Sequence, residues 1–223
     1  VNAVIMNKRN FVWGAYANAS FNKNEVIKLN GEPIEGTYQI TEEGRPYYTF
    51  KMKEYVGVNR ETGEPLWYLN ETGDETTSDY AAAAKRYVGD AHPDVVGGFG
   101  TDLKWKGLDF NIAFTYRIGG KVYDYGASFT GFGMSNRIPL RDVALNSWTE
   151  NNKDAKYPQY IYGDPYNATN DSSRFLYDAD FLKISNICKF SANTGTTCTS
   201  VPPCSLLTLK TKHTHIILLK NGV

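Results

Sequence analysis

The sequence predicts an all-β chain, an antiparallel transmembrane β-barrel wall with long loops at one rim and tight turns at the other. Three observations carry this. First, Val95 to Gly120 reads VVGGFGTDLKWKGLDFNIAFTYRIGG. In its second arm Leu108, Phe110, Ile112, Phe114, Tyr116 and Ile118 alternate with Asp109, Asn111, Ala113, Thr115 and Arg117. Successive side chains of a strand point to opposite faces, so one face is apolar and the other polar or small. Second, arms of about ten or eleven residues are long for a globular strand and suit a tilted crossing of a bilayer. Third, residues 59–93 and 119–172 are longer connections than a compact domain ordinarily needs, and long loops opposite short turns are the barrel pattern. Alternation alone leaves open whether the apolar face meets a protein core or lipid.

The elements follow in chain order. Residues 2–6 end a strand, and Asn7–Asn10 is a polar turn. From Phe11 to Phe21 alternation resumes, with Phe11, Trp13, Ala15, Ala17, Ala19 and Phe21 on one face. Gly31-Glu32-Pro33 breaks the chain, and a strand is predicted from about Pro46 to Val58, with aromatics on both faces. Within the loop that follows, Leu66–Leu69 reads as a short strand and Tyr80–Tyr87 as a helical turn. In the hairpin the arms meet at Lys106-Gly107, where glycine supplies the positive φ of a primed turn. That turn sets Trp105 beside Leu108 and Leu103 beside Phe110, so both arms share one apolar face. Pro139–Trp148 is the one short loop helix, capped by Asn136 or Ser135, with Leu140, Val143, Ala144, Ser147 and Trp148 on one face. A last strand covers roughly Ser173 to Ile187.

Composition narrows the function classes. The 223 residues carry 24 Lys+Arg against 24 Asp+Glu, so no global charge points to nucleic acid. No run approaches the roughly 18–20 apolar residues of a membrane helix, which excludes helical spans and not strands. Val1-Asn2-Ala3-Val4 has neither a basic leader nor an initiator Met, so the start reads as internal to a longer chain. Near residue 187 the composition breaks. Cys188, Cys198, Cys204, His213 and His215 all lie beyond it, with no aromatic after Phe190 and no acidic residue after Asp180. Residues 1–187 form the body, and 188–223 read as an anomalous tail, out-of-frame or disordered. Its Cys and His spacing fits no zinc site.

Five stretches together resemble the SusC/RagA family of TonB-dependent outer-membrane transporters, near the C-terminal end of the barrel. They are NFVWGAYANASFNKNEVIKL at 10–29, EEGRPYYTFKMKEYVGVNRETGEPLWY at 42–68, HPDVVGGFGTDLKWKGLDFNIAFTYRIGGKVYD at 92–124, LNSWTENNKDAKYP at 145–158 and SSRFLYDADFLKISNI at 172–187. The resemblance implies a fragment supplying about six strands of a barrel of roughly 22, not transport-competent alone. It also implies uptake of glycans or peptides across the outer membrane of a Gram-negative, Bacteroidetes-like bacterium. The partners implied are a SusD-like surface lipoprotein and the TonB complex, with no cofactor, no nucleic acid and no enzymatic activity. With outer-membrane lipid around the barrel, Leu103, Trp105, Leu108, Phe110, Ile112, Phe114, Tyr116 and Ile118 become lipid-facing, and Trp105 an interfacial girdle ring.

Catalytic constellations are scarce. His92 precedes Pro93 at a loop end and reads as structural, and Gly97-Gly98-Phe99-Gly100 lies in a strand, where small residues admit close packing. Glu71, Asp74, Glu75 and Asp79 offer hard oxygen ligands for calcium without an EF-hand spacing, against the plainer reading of a solvated acidic loop. The candidate substrate-binding residues are Tyr123, Tyr125, Trp148, Tyr157, Tyr160 and Tyr162. Each has an apolar ring face, and tyrosine adds a polar tip, which suits sugars. The competing reading is that these rings pack the loop onto itself or form the barrel's interfacial girdle. For the whole chain the alternative is a soluble β-rich carbohydrate-binding module, which would purify from buffer without detergent.

Overall fold

The computed structural model describes residues 1–127, 138–191, 195–200 and 206–207. In chain order the strands are β1 Asn2–Lys8, β2 Phe11–Phe21, β3 Ile34–Glu35, β4 Gln39–Thr41, β5 Thr49–Lys53, β6 Tyr55–Val58, β7 Pro65–Tyr68 and β8 Thr76–Thr77. They continue with β9 Lys85–Asp90, β10 Val95–Trp105, β11 Leu108–Ile118, β12 Lys121–Tyr123, β13 Leu176–Asp178, β14 Phe181–Ser191, β15 Gly195–Ser200 and β16 Leu206–Leu207. A short helix, α1, covers Arg141–Asn146. The chain divides into two compact units, one of residues 1–23, 92–120 and 179–223, the other of 24–91 and 121–178.

The first unit is an antiparallel sheet in the order β1-β2-β10-β11-β14-β15, with β16 also on β14. The β10–β11 hairpin has the predicted register, from Trp105 opposite Leu108 to Val95 opposite Ile118, without a shift. Its turn takes φ 45° at Lys106 and 83° at Gly107, as a primed turn requires. β2 pairs on the other side of β10 just as evenly, Phe11 opposite Trp105 and Phe21 opposite Val95. The odd residues of β2 and β10 and the even residues of β11 therefore share one face. In β14 a bulge places Ser185 between the residues opposite Ala113 and Phe114. The extra residue keeps Ile187 as well as Ile184 and Leu182 opposite the apolar side chains of β11.

The apolar face is not empty of polar groups, and those of Trp13, Thr101 and Tyr116 are hydrogen-bonded. Trp13 Nε1 donates to Thr101 Oγ1 at 2.8 Å, and that hydroxyl donates to the Gly14 carbonyl at 2.8 Å. Tyr116 donates to the Asn18 carbonyl at 3.1 Å, and Phe99 stacks on Phe114 with centroids 4.8 Å apart. The other face carries side-chain pairs such as Asn111 to Asp102 at 2.5 Å. Gly100 belongs to this face, where the Tyr16 ring lies across its Cα and the Ile112 carbonyl stands 2.6 Å from where a Cβ would go. Among the described residues, every buried apolar side chain belongs to the other unit. Trp105 and Ile118 stay about half exposed.

The four strand ends that lead into the long segments, Phe21, Val95, Ile118 and Phe181, lie side by side at one end of the sheet. Those segments form the second unit. Its sheets are β3-β4-β5-β9, β6-β7-β8 and β12-β13. Its buried side chains include Ile40, Phe50, Met52, Trp67, Val143, Trp148, Ala168 and Phe175.

Several expectations change here. The single strand over 46–58 is two strands of different sheets, β5 pairing β9 and β6 pairing β7, which is why it carries aromatics on both faces. Tyr80–Tyr87 is not helical. Lys85–Asp90 is strand β9, held by Arg86 lying 4.0 Å over the Tyr68 ring as well as by its ladder to β5. The loop helix is shorter than Pro139–Trp148. Ser147 leaves it with ψ 153°, its hydroxyl donating to the Val143 carbonyl at 2.6 Å. Leu140 sits at its N-cap, 58% exposed instead of packed; the caps Ser135 and Asn136 lie outside the described residues. The span 173–187 divides into a 3-10 turn, β13 and β14. β14 runs to Ser191, past the compositional break, with Cys188 opposite Cys198 in the backbone register. Most of the tail beyond Ser200 lies outside the described residues.

Gly100→Ala is expected to destabilise the detergent-folded chain by about 1–3 kcal/mol through overpacking. Gly14→Ala, whose Cβ would meet only the Ala3 carbonyl at 3.5 Å, should cost far less. Urea unfolding followed by far-ultraviolet circular dichroism measures both, and equal effects would contradict the cross-strand packing.

Candidate functional site

The candidate rings all come from the segment 121–178, and the structure sorts them into three environments. Trp148 and Tyr160 line one cavity of about 630 Å³ with Thr62, Glu150, Asn152 and Gln159. Trp148 itself is 7% exposed. Its indole donates to the Arg60 carbonyl at 2.9 Å, and its backbone N–H donates to the Tyr157 carbonyl at 2.9 Å. Gly63, at φ 76°, allows the ring to sit so close that a Cβ there would fall 2.5 Å from Trp148 Cε3. The Gln159 N–H then donates to the Gly63 carbonyl at 2.8 Å. Trp148 is thus the post around which 59–64 and 146–159 close, and Tyr160, 40% exposed, is the ring that faces out.

Tyr123 and Tyr157 pack against the cluster of Val143, Ala168 and Phe175. Tyr123 stacks on Tyr38 with centroids 4.2 Å apart, and its hydroxyl donates to Asp171 at 2.9 Å. Tyr157 donates to Asp142, which also accepts from Lys156 at 2.9 Å and Asn146 at 2.7 Å. The Tyr157 hydroxyl, then Lys156 and Asn146, hold the Asp142 carboxyl down at about 2. Arg174 is enclosed by rings, its guanidinium 5.4 Å from Tyr55, 5.6 Å from Phe175 and 5.9 Å from Tyr157, and it donates to the Ala168 carbonyl at 2.7 Å. Burial lowers the Arg174 guanidinium to about 10 and pushes the Tyr55 phenol up to about 12. Both keep their ordinary protonation at neutral pH.

Tyr125 and Tyr162 are 59% and 72% exposed. The packing reading thus applies to Tyr123, Trp148 and Tyr157, while Tyr125, Tyr160 and Tyr162 keep open surface. Sequence reasoning missed Arg174, because the rings that enclose it come from residues 55, 157 and 175 and no local pattern joins them. The acidic loop does not gather as a calcium site. Glu75 accepts from Asn70 at 2.8 Å and Asp79 from the Ala81 N–H at 2.8 Å. Among the described residues no three His, Cys, Asp or Glu side chains come together to hold a metal. No described helix is long and apolar enough to cross a membrane, which says nothing of strands.

No family model matches the chain. Relatives do. TonB-dependent receptor P3 of Formosa agariphila is 25% identical over 209 residues, 84% of this chain and 20% of the receptor. TonB-dependent receptor P39 of the same organism is 25% identical over 232 residues, covering 82% of this chain and 22% of its own length. Among solved structures, the RagAB peptide transporter aligns with a TM-score of 0.67 at 27% identity, over 84% of this chain and 21% of that one. Over most of its length the chain is similar to one stretch of SusC/RagA-like TonB-dependent transporters. It spans about a fifth of the length of these relatives. The RagAB peptide importer in its closed-closed state matches the SusC/RagA-like chain equally, with a TM-score of 0.66. The sheet of the first unit is accordingly antiparallel β-barrel wall, and the relatives are receptors and transporters, not enzymes.

The Asp142 cluster predicts an acid limb. A carboxyl whose folded value is depressed adds stability above its unfolded value, near 3.8, and loses it as pH falls toward about 2. Thermal unfolding between pH 5 and pH 2, followed by near-ultraviolet circular dichroism, should show a steeper loss for the parent than for Asp142→Asn; parallel curves would contradict it.

Proposed function

We propose that the chain is part of the wall and loops of an outer-membrane importer in a Bacteroidetes-type bacterium. The importer takes up glycans or peptides together with a SusD-like surface lipoprotein, with energy relayed by the TonB complex. The observation that carries this reading is the long-armed sheet that, among the described residues, contributes no buried apolar side chain. Its support from outside is the likeness to RagAB, a peptide transporter, over most of the chain. On this reading Leu103, Leu108, Phe110, Ile112, Phe114, Tyr116 and Ile118 face hydrocarbon. Trp105, beside the short turn, sits at the membrane–water interface. The segments 24–91 and 121–178 are then extracellular, with Tyr125, Tyr160 and Tyr162 as the rings open to substrate and Tyr123, Trp148 and Tyr157 as their supports. A soluble carbohydrate-binding module would instead need a second layer over the apolar face. Transport belongs to the whole importer, not to this stretch alone.

In the host bacterium, accumulation of fluorescently labelled oligosaccharide or peptide pools should depend on this gene and collapse when the proton-motive force is dissipated. Uptake of both pools unchanged by disruption of the gene would contradict the proposal.

A further inference from the structure

Tyr47 and Tyr48 differ from the other rings of the segment 24–91. Their centroids lie 4.0 Å apart with planes tilted by 44°, and they are 41% and 44% exposed. Tyr68, Tyr80 and Tyr87 instead each carry a cation over one face, Arg86 at 4.0 Å, Lys53 at 3.9 Å and Arg45 at 3.5 Å. Tyr48 also holds φ 59°, the left-handed region that a side chain with a Cβ enters at a cost. The surroundings keep it there. Asn24 accepts the Tyr47 N–H at 2.8 Å, and the buried Thr49 hydroxyl donates to the Pro46 carbonyl at 2.7 Å. Glycine would carry this turn without strain. The chain places a half-exposed aromatic ring there instead, and strain held in place at an exposed side chain is a mark of a binding surface.

We propose that Tyr47 and Tyr48 form a stacking platform for the ring of a neutral saccharide. A phenol offers its apolar face to the C–H face of a pyranose and its hydroxyl to the sugar's own hydroxyls. Neutrality follows from the neighbours. Arg45 is committed to the Tyr87 ring and to Glu42 at 3.6 Å, and Lys51 lies 5.1 Å over the same ring. Glu43 accepts the Leu29 N–H at 2.7 Å. The charges flanking the platform are engaged within the fold. The platform rests on the importer reading and gives it a ligand class at a place separate from the 630 Å³ cavity.

The test is calorimetric titration of the full chain in detergent micelles with maltohexaose, cellohexaose and laminarihexaose, and with a Gly-Ser decapeptide. At least one hexaose should bind, Tyr47→Ala and Tyr48→Gly should each weaken it by about tenfold or more, and Tyr48→Phe should stay within about threefold. Because Tyr48→Gly removes strain, its Tm should equal or exceed the parent's while binding is lost. Binding of no hexaose, binding of the peptide alone, binding that survives both substitutions, or a fall in Tm accompanying the loss would each overturn the platform. Flotation with phospholipid vesicles reads the importer claim separately. A chain that floats yet binds no hexaose overturns the platform and not the importer.

Discussion

Every pairing between β10 and β11 keeps the same parity, from Val95 opposite Ile118 to Trp105 opposite Leu108, and that parity decides which side of the sheet is apolar. Because strand side chains alternate with period two, a slip by one residue would carry the whole apolar set to the other face. β2 obeys the same parity on one side. On the other side β14 obeys it only by inserting a bulge at Ser185. The small residues of β10 serve the same end, since Gly100 leaves room for Tyr16 to lie across the strand. The sheet is thus specified by register and close cross-strand contact, and it contributes no buried apolar side chain of its own among the described residues.

The second unit is organised differently. Short strands supply its ladders, and isolated large side chains tie distant loops together. Trp148 joins 59–64 to 146–159 through ring packing on Gly63 and a hydrogen bond to the Arg60 carbonyl. Arg174 joins the rings of residues 55, 157 and 175. Basic side chains over tyrosine faces recur in this unit, so much of its aromatic surface is consumed in holding it together. What remains open is a small set of rings, and these are the ones available to a ligand.

Legibility in the sequence follows the range of the interactions. The β10–β11 hairpin, its turn and strand β2 were readable because alternation over 11 residues is a local signal. The division of 46–58 into β5 and β6 was not, because it depends on partners at 85–90 and 65–68. The helical turn expected at Tyr80–Tyr87 gives way to strand β9 because Lys85–Asp90 pairs with β5. The compositional break at 187 falls inside β14. Of the candidate rings, sequence identified the residue types, but only the fold separates posts such as Trp148 from open rings such as Tyr162.

The central claim is that the two faces of the β10–β11 hairpin meet different solvents. Nitroxide labels placed one at a time along residues 108–118 of the vesicle-reconstituted chain would report it directly, through collision with oxygen and with a water-soluble nickel chelate. Oxygen accessibility should peak at Leu108, Phe110, Ile112, Phe114, Tyr116 and Ile118, with the nickel complex favouring the residues between them. Loss of that alternation, or nickel access at the apolar positions, would contradict it.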